Sequence, residues 1–185
     1  MKTAIIIHGM PSREEYEATP LQTKKHWIPW IQQQLDLKGI LAQAPEMPEP
    51  YEPNYEQWKL VFEQFHIDEE TVLIGHSCGG GFLVRWLSEH AVKVGQVILV
   101  APWIDTEKEL STGFFDFDID PNLGAKTKEE IVMLYSTDDD EVILKSVDKI
   151  KQSIKDISVR EFSDKGHFTI VDGVSEFPEL LEEIK

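Results

Sequence analysis

The chain has 185 residues, of which 34 are acidic and 18 are basic, so its formal net charge is −16. This length suits one domain, residues 1–185, with a core large enough to need no disulfide or metal. So large a negative charge disfavours binding to nucleic acid or anionic membrane surfaces, because their phosphate groups would be repelled. The single cysteine, Cys78, excludes an intramolecular disulfide. No apolar run suits a signal peptide or a membrane span, and we expect a cytoplasmic protein.

Short apolar runs rich in β-branched residues alternate with segments of helical periodicity along the chain. The predicted strands are residues 4–7, 39–44, 71–74, 97–101, 131–135 and 158–162. The second and the last of these have the weaker strand pattern. Helical spacing of apolar residues is found within 27–35, 58–65, 82–87, 143–154 and 180–184. This alternation predicts an α/β fold of three layers, with a mostly parallel sheet of about six strands between helices. In such sheets the functional site lies beyond the carboxyl ends of the strands.

One strand-to-helix junction carries a motif of catalytic chemistry, Gly75-His76-Ser77-Cys78-Gly79. A Gly-x-Ser-x-Gly motif between a buried strand and a helix is typical of a nucleophile elbow, in which a strained turn exposes the serine hydroxyl. The small residues on either side of the serine allow the strand and the helix to pack closely. The alternative is a glycine-rich turn with only a structural role. We predict that Ser77 is a nucleophile.

A serine hydroxyl needs a base to take its proton, and an acid to orient that base. In this type of fold the chain order is serine, acid, histidine, which leaves two of the six histidines, His90 and His167. His90 lies at the far end of the helix predicted after Ser77. His167 follows the last predicted strand, so a loop at the carboxyl edge can bring it over Ser77. We predict that His167 is the base.

The acid should follow the predicted strand 131–135, where three aspartates occur in a row at 138–140. A run of like charges is normally a solvated turn, and at most one of the three needs to point inward. The pattern Gly-x-x-Asp-x-x-Val of related hydrolases, aligned with Ser136 in place of the glycine, selects Asp139. Asp138 remains the second choice.

Oxyanion stabilisation requires two backbone N–H groups aimed at the reacting oxygen. The residue after the nucleophile, Cys78, supplies one of them, and the turn after the first strand, His8-Gly9-Met10, supplies the other, for which we predict Met10. Aromatic residues on the loops at the strand ends are equally suited to line an apolar substrate pocket or to fill the core. These are Trp103, Phe114, Phe115 and Phe168.

Several segments together resemble the small, lidless serine hydrolases typified by retinoblastoma-binding protein 9 and the bacterial YdeN-like proteins. Besides the serine motif, they are His26-Trp27-Ile28-Pro29-Trp30, Ser111-Thr112-Gly113-Phe114-Phe115, Ser136-Thr137-Asp138-Asp139 and Gly166-His167-Phe168. The resemblance covers nearly the whole chain and implies a compact, lidless α/β-hydrolase fold with a Ser-Asp-His triad and no cofactor. The chain departs from the family at Asp140, where proline is common, and in a longer segment at 11–23.

These observations together predict a serine esterase that acts on small to medium acyl esters through a Ser77-Asp139-His167 triad. No cofactor, metal, nucleic acid or membrane is expected to take part, since zinc-peptidase, phosphate-loop and dinucleotide-binding motifs are missing from the sequence. The 116–120 segment begins like a calcium loop but lacks the required glycine and glutamate. The alternatives are a protein-interaction module on a hydrolase scaffold, with no identifiable partner, and a hydrolase of amides or lactones.

Overall fold

The computed structural model describes residues 2–185 and contains six strands. They are β1 (Thr3–Ile7), β2 (Leu41–Gln43), β3 (Thr71–His76), β4 (Gln96–Val100), β5 (Ile131–Ser136) and β6 (Ile157–Phe162). Every neighbouring pair is parallel, in the order β2-β1-β3-β4-β5-β6. The predicted α/β architecture and its six-stranded sheet are therefore confirmed.

Helices cover this sheet. They are α1 (Arg13–Ala18), α2 (Ile28–Leu37), α3 (Tyr55–Phe62), α4 (Cys78–Glu89), α5 (Glu141–Ser153) and α6 (Pro178–Glu183), with short 3₁₀ turns at Gln22–Lys24 and Leu123–Lys126. Helix α2 packs beside α6. Helix α3 packs on α4 through Phe62, whose ring contacts Phe82 and Trp86.

Burial explains why some strands have a stronger sequence pattern than others. The central strands β3, β4 and β5 are buried at every position, which requires a continuous apolar run. The edge strands β2 and β6 expose part of their residues to solvent, so polar side chains interrupt the pattern there. These edge strands are the two that the sequence predicts more weakly.

Helix α1 is absent from the sequence-based predictions because it has no apolar face and none of its residues is buried. Its stability comes from a capping box at its start. The Ser12 hydroxyl accepts a hydrogen bond from the Glu15 N–H, and the Glu15 carboxylate accepts one from the Ser12 N–H. The Ser-x-x-Glu spacing of this box is therefore the sequence signal for the helix.

The order of the strands determines where a ligand site can form. The chain runs from β1 outward to β2, then crosses back to place β3 on the other side of β1. The connections after β1 and β3 thus leave the sheet in opposite directions and open a crevice between their carboxyl ends. Ser77 follows β3 directly, and His8, Gly9 and Met10 follow β1, so both segments border this crevice.

Candidate active site

Ser77 lies at the junction between β3 and α4, in a backbone conformation that is unfavourable for serine. Its φ of 53° and ψ of −121° lie outside the regions common for residues with a side chain. The surrounding hydrogen bonds hold this conformation. The Ser77 N–H donates to the Val100 carbonyl at 2.9 Å, and its own carbonyl accepts from the Trp103 N–H at 3.0 Å. The turn therefore belongs to the sheet rather than to a mobile loop.

Two glycines allow the backbone to pack tightly around Ser77. A Cβ atom at Gly75 would lie 2.6 Å from the Gly79 carbonyl oxygen, and one at Gly79 would lie 2.4 Å from the Ile7 carbonyl oxygen. Both distances are too short for a non-bonded contact between a carbon and an oxygen atom. Any larger residue would push α4 away from the strands, as the small-residue pattern around the serine predicts.

His167 and Asp139 meet in direct contact. The His167 Nδ1 atom lies 2.9 Å and 3.1 Å from the two carboxylate oxygens of Asp139. The Asp139 side chain is only 1% exposed, whereas that of His167 is 28% exposed. A buried carboxylate on Nδ1 favours the tautomer whose proton is on that atom, and this leaves Nε2 free to accept a proton.

The carboxylate of Asp138, the second candidate acid, bonds to the backbone of the loop that carries His167 rather than to the His167 imidazole. Its carboxylate accepts hydrogen bonds from the Ser136 hydroxyl and, at 3.1 Å, from the Gly166 N–H. The Ser136 hydroxyl bond is the main cause that lowers the pKa of Asp138. Asp138 thus fixes the loop that begins at Lys165.

Asp172 holds the other side of the His167 loop. Its Oδ2 atom accepts from the N–H groups of His167 at 3.1 Å and Thr169 at 3.0 Å. It also accepts from the Thr169 hydroxyl at 2.6 Å. The His167 backbone is therefore fixed independently of its imidazole.

His76 joins the serine turn to this loop. Its Nε2–H donates to the His167 carbonyl at 2.8 Å, and the two rings lie 5.1 Å apart. Burial lowers the pKa of His76 well below its usual range, so the ring is neutral at pH 7. The residue directly before Ser77 therefore sets the position of His167. No hydrogen bond links the Ser77 hydroxyl to the His167 ring.

The loop after β1 passes next to the serine. A Cβ atom at Gly9 would lie 3.1 Å from the Ser77 Cβ. The Met47 N–H donates to Nε2 of His8 at 2.9 Å, so the ring proton is on Nδ1, which donates to the Gly9 carbonyl at 2.8 Å. Since the N–H and C=O of a trans peptide point in opposite directions, the N–H of Met10 points away from His8.

Cys78, the first residue of α4, is fully buried. Burial raises the pKa of its thiol well above the usual range, with the charge of Asp105 as a smaller cause. The side chain is therefore a neutral thiol inside the core, and the backbone N–H is the group that suits oxyanion binding.

A cavity of about 190 Å³ opens above Ser77. It is lined by His8, Gly9, Met10, Pro11, Glu15, Gln22, Lys25, His26, His76, Ser77, His167, Thr169 and Val171. Pro11, Glu15 and Gln22 belong to the 11–23 segment in which the chain departs from the family, so this segment forms part of the entrance. Several polar and charged side chains, among them Glu15, Lys25 and His26, form part of this wall.

The four aromatic residues considered as pocket lining lie elsewhere. Phe114 and Phe168 are fully buried, and Phe168 packs on Phe162 and Phe177. Phe115 packs edge-on against Trp103 and borders a second cavity of about 440 Å³. Because the loops that carry these aromatics fold back onto the core, none of the four lines the cavity at Ser77.

The sequence offers little indication of two other residues in the cavity wall, Lys25 and His26. His26 has a φ of 55°, and its Nδ1 accepts a hydrogen bond from the Ile170 N–H at 3.0 Å. Burial, followed by the charges of Lys25 and His167, lowers the pKa of His26 to about 4. His26 precedes Ser77 along the chain, so the serine-acid-histidine order excludes it as the base. A single lysine forms no recognisable motif. The place of both residues at the site is therefore seen only in the folded chain.

Neither a candidate membrane-spanning helix nor a candidate metal-binding cluster occurs within residues 2–185. None of the helices there is long and apolar enough to cross a membrane. In the same part of the chain, no group of three or more His, Cys, Asp or Glu side chains is arranged to hold a metal ion.

Comparison with protein families gives a match over most of the chain. The family model described as serine hydrolase matches residues 16–185. The chain is 28% identical over 187 residues to YdeN of Bacillus subtilis (strain 168), which is named as a hydrolase; 96% of this chain and 91% of that protein are aligned. It is also 28% identical to serine hydrolase RBBP9 of Rattus norvegicus, over 86% of this chain and 84% of the relative.

Solved structures give a consistent picture of the fold. The crystal structure of the ydeN gene product from B. subtilis superposes with a TM-score of 0.82 at 25% identity, covering 98% of this chain and 96% of the other. Est1E from Butyrivibrio proteoclasticus, solved with ferulic acid bound, has a TM-score of 0.66 at 13% identity, with coverages of 100% and 90%. The fold is that of the α/β hydrolases.

Proposed function

Because this chain belongs to the serine hydrolase family, we propose that it hydrolyses small carboxylic esters with Ser77 as the nucleophile. The observation that carries the proposal is the contact of the buried Asp139 carboxylate with Nδ1 of His167, on a loop bordering the same cavity as Ser77. A histidine oriented in this way has its free Nε2 available as a general base. The strained backbone at Ser77 further supports the assignment, because such strain is concentrated at functional sites.

In the proposed reaction, the Ser77 Oγ attacks the carbonyl carbon of the ester while His167 takes the hydroxyl proton. The tetrahedral intermediate then collapses. The bond to the alcohol oxygen breaks, and His167 gives the proton to the departing alcohol. Water attacks the acyl-enzyme in the same manner, with His167 again as the base, and releases the carboxylic acid and free Ser77. Asp139 stays ionised and stabilises the imidazolium in both steps.

The negative oxygen of the intermediate would be stabilised by the backbone N–H groups of Met10 and Cys78. His8 supports this role for Met10, since its bond to the Gly9 carbonyl orients the Gly9–Met10 peptide. Burial lowers the pKa of His8, so it remains neutral and keeps this arrangement at neutral pH. Loss of one oxyanion donor typically slows such reactions by about 10²–10³-fold.

The choice of esters rests on the size of the site and on structural neighbours. The cavity of about 190 Å³ is smaller than the roughly 300 Å³ at which typical ligand pockets begin, so a short acyl group fits best. One neighbour that shares the fold, at 15% identity, is named as the esterase domain of a Rhodothermus marinus protein. This name is consistent with ester substrates.

A fluorophosphonate, which reacts with activated serines, tests the proposal directly. Intact-mass analysis of the native protein should show one adduct, and the protein should release p-nitrophenol from p-nitrophenyl butyrate. Ser77→Ala should do neither, whereas the matched control Ser111→Ala, at an exposed serine, should do both. An unlabelled native protein, or equal labelling of Ser77→Ala, would exclude Ser77 as the nucleophile.

A further inference from the structure

Lys25 is a cation that lines the cavity at Ser77. No carboxylate within residues 2–185 lies within 4.0 Å of its ammonium group. The side chain is only partly exposed. Lys25 therefore gives the cavity a positive charge without an ion-pair partner among the described residues, in a chain with 34 acidic residues against 18 basic ones.

The charge of Lys25 acts on the cavity itself. Burial, followed by the charge of Lys25, lowers the pKa of His26, and for Glu15 the charge of Lys25 is a smaller cause after the hydrogen bonds of Ser12. Lys25, Glu15 and His26 line the same cavity as Ser77. Lys25 therefore borders the space that a molecule bound at Ser77 would occupy.

The other polar groups near Lys25 are already used within the fold. The Glu15 carboxylate accepts the Ser12 N–H at 2.7 Å in the capping box of α1. The side-chain amide of Gln22 donates to the Thr19 and Pro20 carbonyls. The carboxylate of Glu46 is occupied by the N–H groups of Gln22 and Thr23. Neither Glu15 nor Glu46 forms an ion pair with Lys25 within 4.0 Å.

His26 offers a second donor beside Lys25. Since its Nδ1 accepts the Ile170 N–H, the proton of the neutral ring is on Nε2. Within residues 2–185 that N–H has no hydrogen-bond acceptor, and His26 lines the cavity. Lys25 and His26 thus give the same cavity an ammonium group and an imidazole N–H, both of which are donors suited to carboxylate oxygens.

We propose that Lys25 and the Nε2–H of His26 bind a carboxylate group of the substrate, so that the preferred substrates are half-esters of short dicarboxylic acids. This inference rests on the proposed ester hydrolysis at Ser77. The cavity of about 190 Å³ is small for a ligand pocket, which favours a short acyl group. A carboxylate at the far end of such an acyl group would remove the unpaired charge of Lys25.

Monomethyl succinate and methyl butyrate form a suitable pair of substrates, because both have a four-carbon acyl group and only the first carries a charge. The kcat/KM of each is measured by titration of the acid released. The ratio of kcat/KM for the charged ester to kcat/KM for the neutral ester should fall about tenfold or more in Lys25→Gln. This is the range expected when a charged partner is lost. Lys25→Arg should keep most of the ratio, since it retains the charge.

Lys24→Gln is the matched control, because Lys24 is the adjacent exposed lysine and does not line the cavity. It removes the same overall charge and should leave the ratio unchanged. An equal ratio in the native protein and Lys25→Gln, or the same fall in Lys24→Gln, would overturn the proposal.

A binding experiment separates this inference from the proposed function. Monomethyl succinate is titrated calorimetrically into Ser77→Ala and into Ser77→Ala/Lys25→Gln. Weaker binding by the double variant supports the carboxylate site even if no ester is hydrolysed, in which case only the proposed function fails. Equal binding by both variants, alongside normal fluorophosphonate labelling of the native protein, rejects the carboxylate site and leaves the proposed function intact.

Discussion

Asp138 and Asp139 show how two adjacent, chemically identical residues can have different tasks. The Asp139 carboxylate faces the imidazole of His167, and the Asp138 carboxylate faces the backbone N–H of Gly166. The first contact orients a ring, while the second fixes the loop that carries the ring. Only the first contact involves the imidazole of His167.

Substitution of each aspartate by asparagine should separate these tasks. Asp139→Asn should lower kcat for p-nitrophenyl butyrate by about 10³–10⁴-fold, since an amide favours the wrong imidazole tautomer. Asp138→Asn should lower kcat by less than about tenfold, because the amide oxygen can still accept the Gly166 N–H. Steady-state kinetics, with circular dichroism to verify folding, measures both effects. A greater loss in Asp138→Asn would transfer the orienting role to Asp138.

The sequence alone leaves this distinction open at the residue scale. Three consecutive aspartates in a turn have no periodicity that indicates which of them points inward, and only the spacing to Val142 favours Asp139. His167 follows from chain order and from its place after the last strand. Lys25 and His26 cannot be predicted in this way, because they reach the site through contacts distant in sequence, such as the hydrogen bond from the Ile170 N–H to His26.

At the scale of elements, the contact between α4 and the neighbouring strands depends on glycine. The ideal Cβ position of Gly79 lies 2.4 Å from the Ile7 carbonyl and 2.5 Å from the His8 carbonyl. Both oxygens belong to backbone that is held by the sheet or by the turn after β1. Neither can move without also displacing the turn that carries Met10.

Gly79→Ala should therefore destabilise the fold by about 3 kcal/mol or more, at the upper end of the range for overpacked positions. Gly124→Ala is the matched control, since a Cβ there would meet its nearest neighbour at an ordinary 3.5 Å. Urea denaturation followed by circular dichroism gives both free energies of unfolding. Similar stability of the two variants would contradict the close packing of α4 on β1.

The sequence predicts those strands and helices that bury apolar side chains. All six strands and the helices from α2 onward have such a face, and the sequence locates them. Helix α1 has no buried residue and depends on the Ser12–Glu15 capping box. Hydrophobic spacing therefore does not reveal this helix, although Glu15 lines the candidate site.

At the scale of the whole molecule, the site combines elements that are far apart in sequence. The β1 and β3 strands pair in the sheet, so the His8 and His76 rings reach the same crevice, and α2 begins just after His26. Burial is the largest cause that lowers the pKa of each of these three histidines. The fold thus keeps three neutral imidazoles together beside His167, and this arrangement has a consequence for stability.

In the unfolded chain each of these histidines has a pKa near 6.5, whereas in the fold the pKa of His26 is about 4. Between these values the unfolded chain binds more protons, so the free energy of unfolding rises with pH and falls as pH drops from 7 to 5. Each histidine contributes at most about 1.4 kcal/mol per pH unit to this change in the free energy of unfolding.

His26→Asn should reduce the total fall in the free energy of unfolding between pH 7 and pH 5 by about 1 kcal/mol, after allowance for the partial exposure of His26. Asparagine tolerates the positive φ and can still accept the Ile170 N–H. Urea denaturation at pH 7 and pH 5 measures the native protein and His26→Asn, and an unchanged pH dependence in His26→Asn would show that His26 is not held neutral by the fold.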